Sequence, residues 1–446
     1  MAKSLQPPEP GECCRSRHWM WRSLLVFLAV PLVAFGCATA ERTPEAEAPT
    51  IESSGLKAEP DGVDTGASDL LYLRAGDGSP SDRLLALDTA SGLAAREFPL
   101  GVPSADWSEL YTALSTGDRT SVQAIDPASG KVKRSRELGG AFALPVVTLD
   151  GTLGGLSEDG RTLVLEELAS PGATTRLAVL NTDLREPTRI VELRGDFSFD
   201  ALSPDGRLLY LIEHLPPAGS NRYSVRLFDL EKGKLAPKAI ADKRLGVRAM
   251  EGYAVARATG AGETVYTLYE GGHHPFIHAL DTGGRYAFCI DLPMGERARD
   301  GTAELWRLVP GGNGLLYAAN GGLGIVVEVD TLNYRVLQTR KQLPGADAGV
   351  GRPVAGGAAL SADGSSLFVL GGKGVVAVST SDLAPRGHYL ADRALESLGL
   401  SADGKRLYAV AEDGAIVALD AATGAAVSEL GGAGSSGRLV RIEAIA

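Results

Sequence analysis

Short apolar runs separated by glycine-rich turns dominate the chain, and one order of apolar and polar positions returns in close copies: LSPDGRLLYLI at 202–212, LSADGSSLFVL at 360–370 and LSADGKRLYAV at 400–410. In each, Ser-x-Asp-Gly separates two apolar stretches. An Asp side chain in such a turn bonds its own backbone and Gly supplies the positive φ of a tight reversal, so the pattern predicts a hairpin between two strands, A and B. Strand B is apolar at successive positions, as in LLYLI at 208–212, rather than alternating. Both of its faces must then be covered.

Degraded copies stand at 104–114 (SADWSELYTAL), 156–166 (LSEDGRTLVLE), 258–269 (ATGAGETVYTLY) and 309–319 (VPGGNGLLYAA), with DLLYLRA at 69–75 as the eighth. Each is followed by a second apolar run ending in a turn, such as LLALDTASG with Asp88 or IVALDAATG with Asp420. That turn predicts a C–D hairpin, hence four antiparallel strands per unit. Successive turns lie 38 to 55 residues apart, the period of propeller blades. The expected fold is an all-β propeller, eight blades favoured. Seven is the alternative, because only LGV separates the first strand D from Ser104 and leaves little room for a strand A.

The first unit begins directly at strand B, and the chain ends in RLVRIEAIA, a strand with no partner of its own. We expect 438–446 to pair into the first blade and close the ring, because an open ring would leave a sheet edge and an apolar face exposed. The repeat, over residues 69–446, resembles the YVTN and lactonase-like propeller repeats, in which SPDGxxLYV is followed by a V-x-V-x-D-x-x-x-G turn. That resemblance implies the fold; the same blades carry enzymes, scaffolds and binding modules.

The first 68 residues read differently. Arg15, Arg17 and Arg22 precede a 14-residue apolar run at 23–36, too short to span a bilayer comfortably, and Cys37 follows it. Residues 1–36 are therefore expected to be a secretory signal. Ala34-Phe35-Gly36-Cys37 resembles the lipobox of bacterial lipoproteins, although Ala34 stands where that family prefers Leu. The resemblance implies cleavage before Cys37 and a diacylglyceryl anchor on its sulfur, two acyl chains making a stable attachment. Residues 37–68 carry seven acidic against two basic side chains and few large apolar ones, the composition of a disordered tether. The expected address is extracytoplasmic, lipid-anchored to a bacterial membrane.

Charge narrows the partners. The formal net charge is -11, and loss of the signal's four basic and two acidic residues takes it to -13, which disfavours nucleic acid. With Cys13 and Cys14 in the signal and Cys37 lipidated, Cys289 is left alone within YAFCIDL, a small core side chain rather than a nucleophile.

Candidate chemistry centres on GGHHPFIHAL at 271–280, with His273, His274 and His278. Pro275 should begin a strand, and residues four apart on a strand lie roughly 13 Å apart, so His274 and His278 cannot share an ion. These histidines are binding candidates on the B–C loop side, with no metal expected. The glycine-rich loops around Gly324 and Lys373 feed strands rather than helices and are read as B–C hairpins, not phosphate loops. The ALDAATG, ALDTASG and AIDPASG turns resemble the repeat of eight-bladed quinoprotein dehydrogenases, but the docking Trp of that family is replaced by Arg96, Arg134 and Ser428, so no cofactor is expected. No catalytic residue can be placed, and neither a G-x-S-x-G elbow nor a His-Glu-x-x-His helix occurs. The reading is a monomeric binding or scaffold module for an envelope protein or glycan. The alternative is a lactonase-like hydrolase or quinoprotein-like oxidoreductase.

Overall fold

The computed structural model describes residues 68–76, 82–168, 174–217, 219–260, 263–271, 274–293, 305–346, 357–431 and 437–444. The expected signal at 1–36, Cys37, the expected tether up to residue 67 and His273 lie outside them. The described residues contain no α-helix and form eight antiparallel sheets in a ring, each built around four strands: an eight-bladed β-propeller. Blades 2 to 8 occupy residues 102–139, 142–194, 197–235, 253–291, 306–340, 358–389 and 395–430; blade 1 combines 69–99 with the C-terminal strand.

The repeated turn works as its chemistry dictates. In blade 4 the Ser203 hydroxyl donates to Asp205 Oδ1 (2.6 Å), the Arg207 N–H donates to the same oxygen (3.1 Å), and the Leu208 N–H donates back to Ser203 Oγ (2.9 Å). Gly206 takes φ +67°, and a Cβ there would sit 2.2 Å from Thr162 Oγ1. The same ladder recurs at Ser157–Asp159, Ser361–Asp363 and Ser401–Asp403. In blade 2, Trp107 takes the left-handed conformation that Gly fills elsewhere.

Strand B lies between neighbouring blades, which is why its apolar residues are consecutive: Leu209, Tyr210 and Leu211 are all buried. The tyrosine of the repeat reaches into the next blade. Tyr210 donates to Thr282 O (2.5 Å) and Tyr408 to Asp69 Oδ2 (2.6 Å). Strand D is outermost and half-exposed, and its arginines bridge blades; Arg134, at one of the lost docking-Trp positions, grips Glu109 (2.9 and 2.6 Å) and Thr182 O (3.3 Å).

The last strand, Gly437–Ala444, pairs antiparallel with Asp69–Ala75 and closes the ring. Its Arg441 stacks on Trp107 of blade 2, 4.6 Å from the ring centroid, and the Leu439 N–H donates to Ser397 Oγ of blade 8 (2.9 Å). Closure thus ties blades 8, 1 and 2 together.

The A strands of two blades are irregular, and blade 4 ends in a two-residue strand D, Lys234–Leu235, with Met250–Glu251 also paired to its strand C. Blade 2 fits its strand A into two residues, Val102–Pro103, which is how eight blades accommodate the short linker. Blade 3 begins with Phe142–Ala143 against Glu167 and Glu166, leaves the sheet, and resumes only at the Leu156–Leu163 bridge. The residues between form the feature on which the interior depends.

Candidate functional site

Residues 144–155 turn inward. Val146 bridges Leu153, and between them Thr148-Leu149-Asp150-Gly151-Thr152 builds a second copy of the repeat's own turn: the Thr148 hydroxyl donates to Asp150 Oδ1 (2.5 Å) and the Thr152 N–H to the same oxygen (3.1 Å). In the outer turns Asp159, Asp205, Asp363 and Asp403 are exposed, and any further partner of the carboxylate is a local side chain. Here Asp150 Oδ2 meets Arg438 of blade 1 (2.7 Å) and Arg307 of blade 6 (3.5 Å). Arg74 of blade 1, itself paired with Asp82 (2.6 Å), donates to Gly151 O (2.7 Å), and the Leu149 N–H donates to Ala254 O of blade 5 (2.8 Å). A hairpin rooted in blade 3 is therefore fastened to blades 1, 5 and 6 and occupies the middle of the ring.

The electrostatics follow from that position. Burial alone would push the Asp150 carboxyl up, but Arg438 and Arg307, joined by the two threonine hydroxyls, hold it well below the usual carboxylate range. Gly151 sits at φ +77°, where an L side chain is strained, and a Cβ there would fall 2.4 Å from the Arg74 guanidinium and push it aside.

The hairpin separates two cavities. One, of about 370 Å³, opens among the A–B hairpins of blades 2 to 5 and is walled by Leu153, Leu156, Leu202 and Arg257. The other, of about 390 Å³, opens on the B–C loop side between the hairpin and blades 4 and 5. Val147, Phe199 and Asp200 belong to both walls. Asp200 is buried and ion-paired with Arg257, which also donates to Thr267 Oγ1 (3.1 Å). Nearby, burial raises the Glu166 carboxyl, although it accepts the Phe199 N–H.

The histidines singled out by the sequence scatter. His274 is half-buried, its Nδ1 3.8 Å from Asp291 Oδ1. His278 is 3 % exposed on strand C of blade 5, edge-on to Tyr269 at 6.3 Å, and burial lowers its pKa to about 4. Tyr269 lines the second cavity, whereas His278 lies behind it. Among the described residues no group of three His, Cys, Asp or Glu is placed to hold a metal ion. Burial, then Asp242, pushes the Cys289 thiol up to about 12, and it rests 3.8 Å from Met250 Sδ. The loops at Gly324 and Lys373 join strands B and C of blades 6 and 7.

Sequence reasoning did not single out Asp150, Arg74, Arg307 or Arg438. Two signals were present: TLDGT repeats the turn chemistry just ahead of SEDG within one unit, and the 55-residue interval from Asp126 to Asn181 is the longest in the series.

No protein-family model matches this chain, and no curated protein matches it in sequence. Among solved structures, the dihydro-heme d1 dehydrogenase NirN in complex with DHE aligns at 16% identity over 87% of this chain and 77% of that one, with a TM-score of 0.51. Apo AztD from Citrobacter koseri aligns at 15% identity over 85% and 98% of the two chains (TM-score 0.49), and BamB from Moraxella catarrhalis at 15% over 77% and 90% (TM-score 0.46). The NirN likeness supports the propeller fold and nothing finer, and the two lower scores carry no further argument.

Proposed function

We propose that the protein is a lipid-anchored, extracytoplasmic β-propeller that binds or scaffolds an envelope protein or glycan rather than transforming a substrate. The observation that carries this reading is the hairpin at the centre of the ring. A catalytic lumen needs an acid and a base facing one reactive point. Here the central carboxylate, Asp150, is consumed by arginines, and Asp200 on the cavity walls is consumed by Arg257. What the ring offers instead is a rigid rim of hairpins whose blades are cross-tied by Tyr210, Tyr408 and Arg134.

The address rests on Arg15, Arg17, Arg22, the apolar run and Cys37, and the tether composition suits a module held away from head groups. Metabolic labelling with an alkyne-tagged fatty acid should mark the wild type and not Cys37→Ser. The binding reading is tested by in-cell crosslinking of the full chain together with a lactone-hydrolysis screen. A discrete envelope partner without turnover supports it; turnover that disappears in Asp200→Asn overturns it in favour of the hydrolase reading.

A further inference from the structure

We propose that the cavity between the lumen hairpin and blades 4 and 5 is a binding site for a small, uncharged, largely apolar ligand carrying a ring and a hydrogen-bonding group. The inference deepens the binding reading above and rests on it. The cavity, at about 390 Å³, falls within the range of small-molecule sites, roughly 300–1,000 Å³. Its inner wall is apolar and aromatic. Tyr223 and Tyr269 stack at 4.7 Å, and Phe276 extends the stack behind Tyr269 at 5.4 Å. A wall so packed is formed before a ligand arrives, which lowers the cost of binding.

The mouth carries the second observation. Val146 (59 % exposed), Leu149 (53 %) and Tyr253 (51 %) are large apolar side chains held in water, and all three line this one opening. Val146 and Leu149 are there because the hairpin leaves blade 3, so the device that fills the lumen also builds the rim. Apolar side chains gathered at the mouth of a cavity mark a binding surface.

Charge fixes the class of ligand. Apart from its tyrosines, the ionisable groups on the wall are Asp200, neutralised by Arg257, and His214, whose Nε2 lies 3.0 Å from Ser198 Oγ. Neither Asp200, already paired, nor the wall's apolar side chains offer a charged ligand a strong countercharge in exchange for its hydration. Ser198, His214, Ser220 and Asn221 gather on the blade 4 side, where Asn221 Nδ2 also donates to Gly271 O (3.3 Å) and joins the B–C loops of blades 4 and 5. The polar end of the ligand belongs there, and its ring against Tyr253 and Leu149.

Benzophenone, neutral with two rings and a carbonyl acceptor, is a suitable photoreactive probe for the full chain, with adduct sites mapped by mass spectrometry. Adducts should saturate and concentrate on Val146, Leu149 and Tyr253. They should fall about tenfold in Leu149→Asp, which brings an uncompensated charge to an exposed rim position, and likewise in Ser198→Trp, which fills the cavity. Labelling of this rim no stronger than that of exposed Leu93 or Leu332 would overturn the proposal, as would adducts that persist in both variants. If Ser198→Trp fails to fold, Leu149→Asp decides. Because labelling needs no partner, its failure leaves the crosslinking test of the binding reading intact. Partner crosslinks mapping to a rim that benzophenone ignores would instead make it a protein contact and discard the ligand.

Discussion

At the scale of single residues, Asp150 shows how one turn serves two purposes. Its Oδ1 does what Asp159, Asp205, Asp363 and Asp403 do, closing a tight reversal. Its Oδ2 instead takes two arginines from other blades. Removing one partner of a buried ion pair leaves the others uncompensated, so Asp150→Asn should cost about 3–5 kcal/mol in denaturant unfolding. The carboxyl is held below its ordinary range, so its contribution is complete above the unfolded pKa of about 3.9 and is lost as pH falls below that value. Acid unfolding of the asparagine variant should accordingly be shallower. The turn itself was legible in TLDGT, because turn chemistry is local. Its inward direction was not, since Arg438 lies 288 residues away in sequence and nothing in the local pattern distinguishes a lumen from a surface.

At the scale of elements, strands B and C and both hairpins of most blades could be read from the sequence because consecutive apolar positions and Asp-Gly turns encode them locally. Strand A could not be read where it is broken: Val102–Pro103 is too short for any periodicity, and blade 3 resumes its sheet after a detour. The histidine cluster had a similar fate. Sequence neighbours at 271–280 separate into a half-buried residue, His274, in the loop before strand C, and a core residue, His278, inside a strand C that neighbouring blades cover on both faces. Burial leaves His278 neutral, with a pKa of about 4 against an ordinary 6.5. An unfolded chain binds the proton first as pH falls, so stability is complete above about 6.5 and is lost between there and pH 4, by roughly 3 kcal/mol. Chemical denaturation of His278→Phe across that window should show a flatter pH dependence than wild type, whereas an unchanged slope would assign the sensitivity elsewhere.

At the scale of the whole molecule, the ring depends on its last strand. Leu71 and Leu73 are buried beneath the pairing with 437–444, and Arg441 and Leu439 carry that strand into contact with blades 2 and 8. Deleting 437–446 should abolish cooperative thermal unfolding, and a truncated chain that melts like full length would contradict closure by this strand. The closing strand was visible in the sequence because RLVRIEAIA had no partner of its own beside a first unit lacking strand A, whereas the lumen hairpin was hidden inside a unit that looked merely degraded. Yet the hairpin shapes the interior among the described residues, with a cavity on either side of an ion-locked centre, and the binding reading depends on its staying there. Native-state hydrogen exchange at the Leu149 amide, bonded to Ala254 O across the lumen, tests this directly. Exchange should be as slow as in the blade cores in the wild type and at least about a hundredfold faster in Asp150→Asn. A wild-type amide exchanging at the rate of an exposed loop would mean that the hairpin does not hold the centre of the ring.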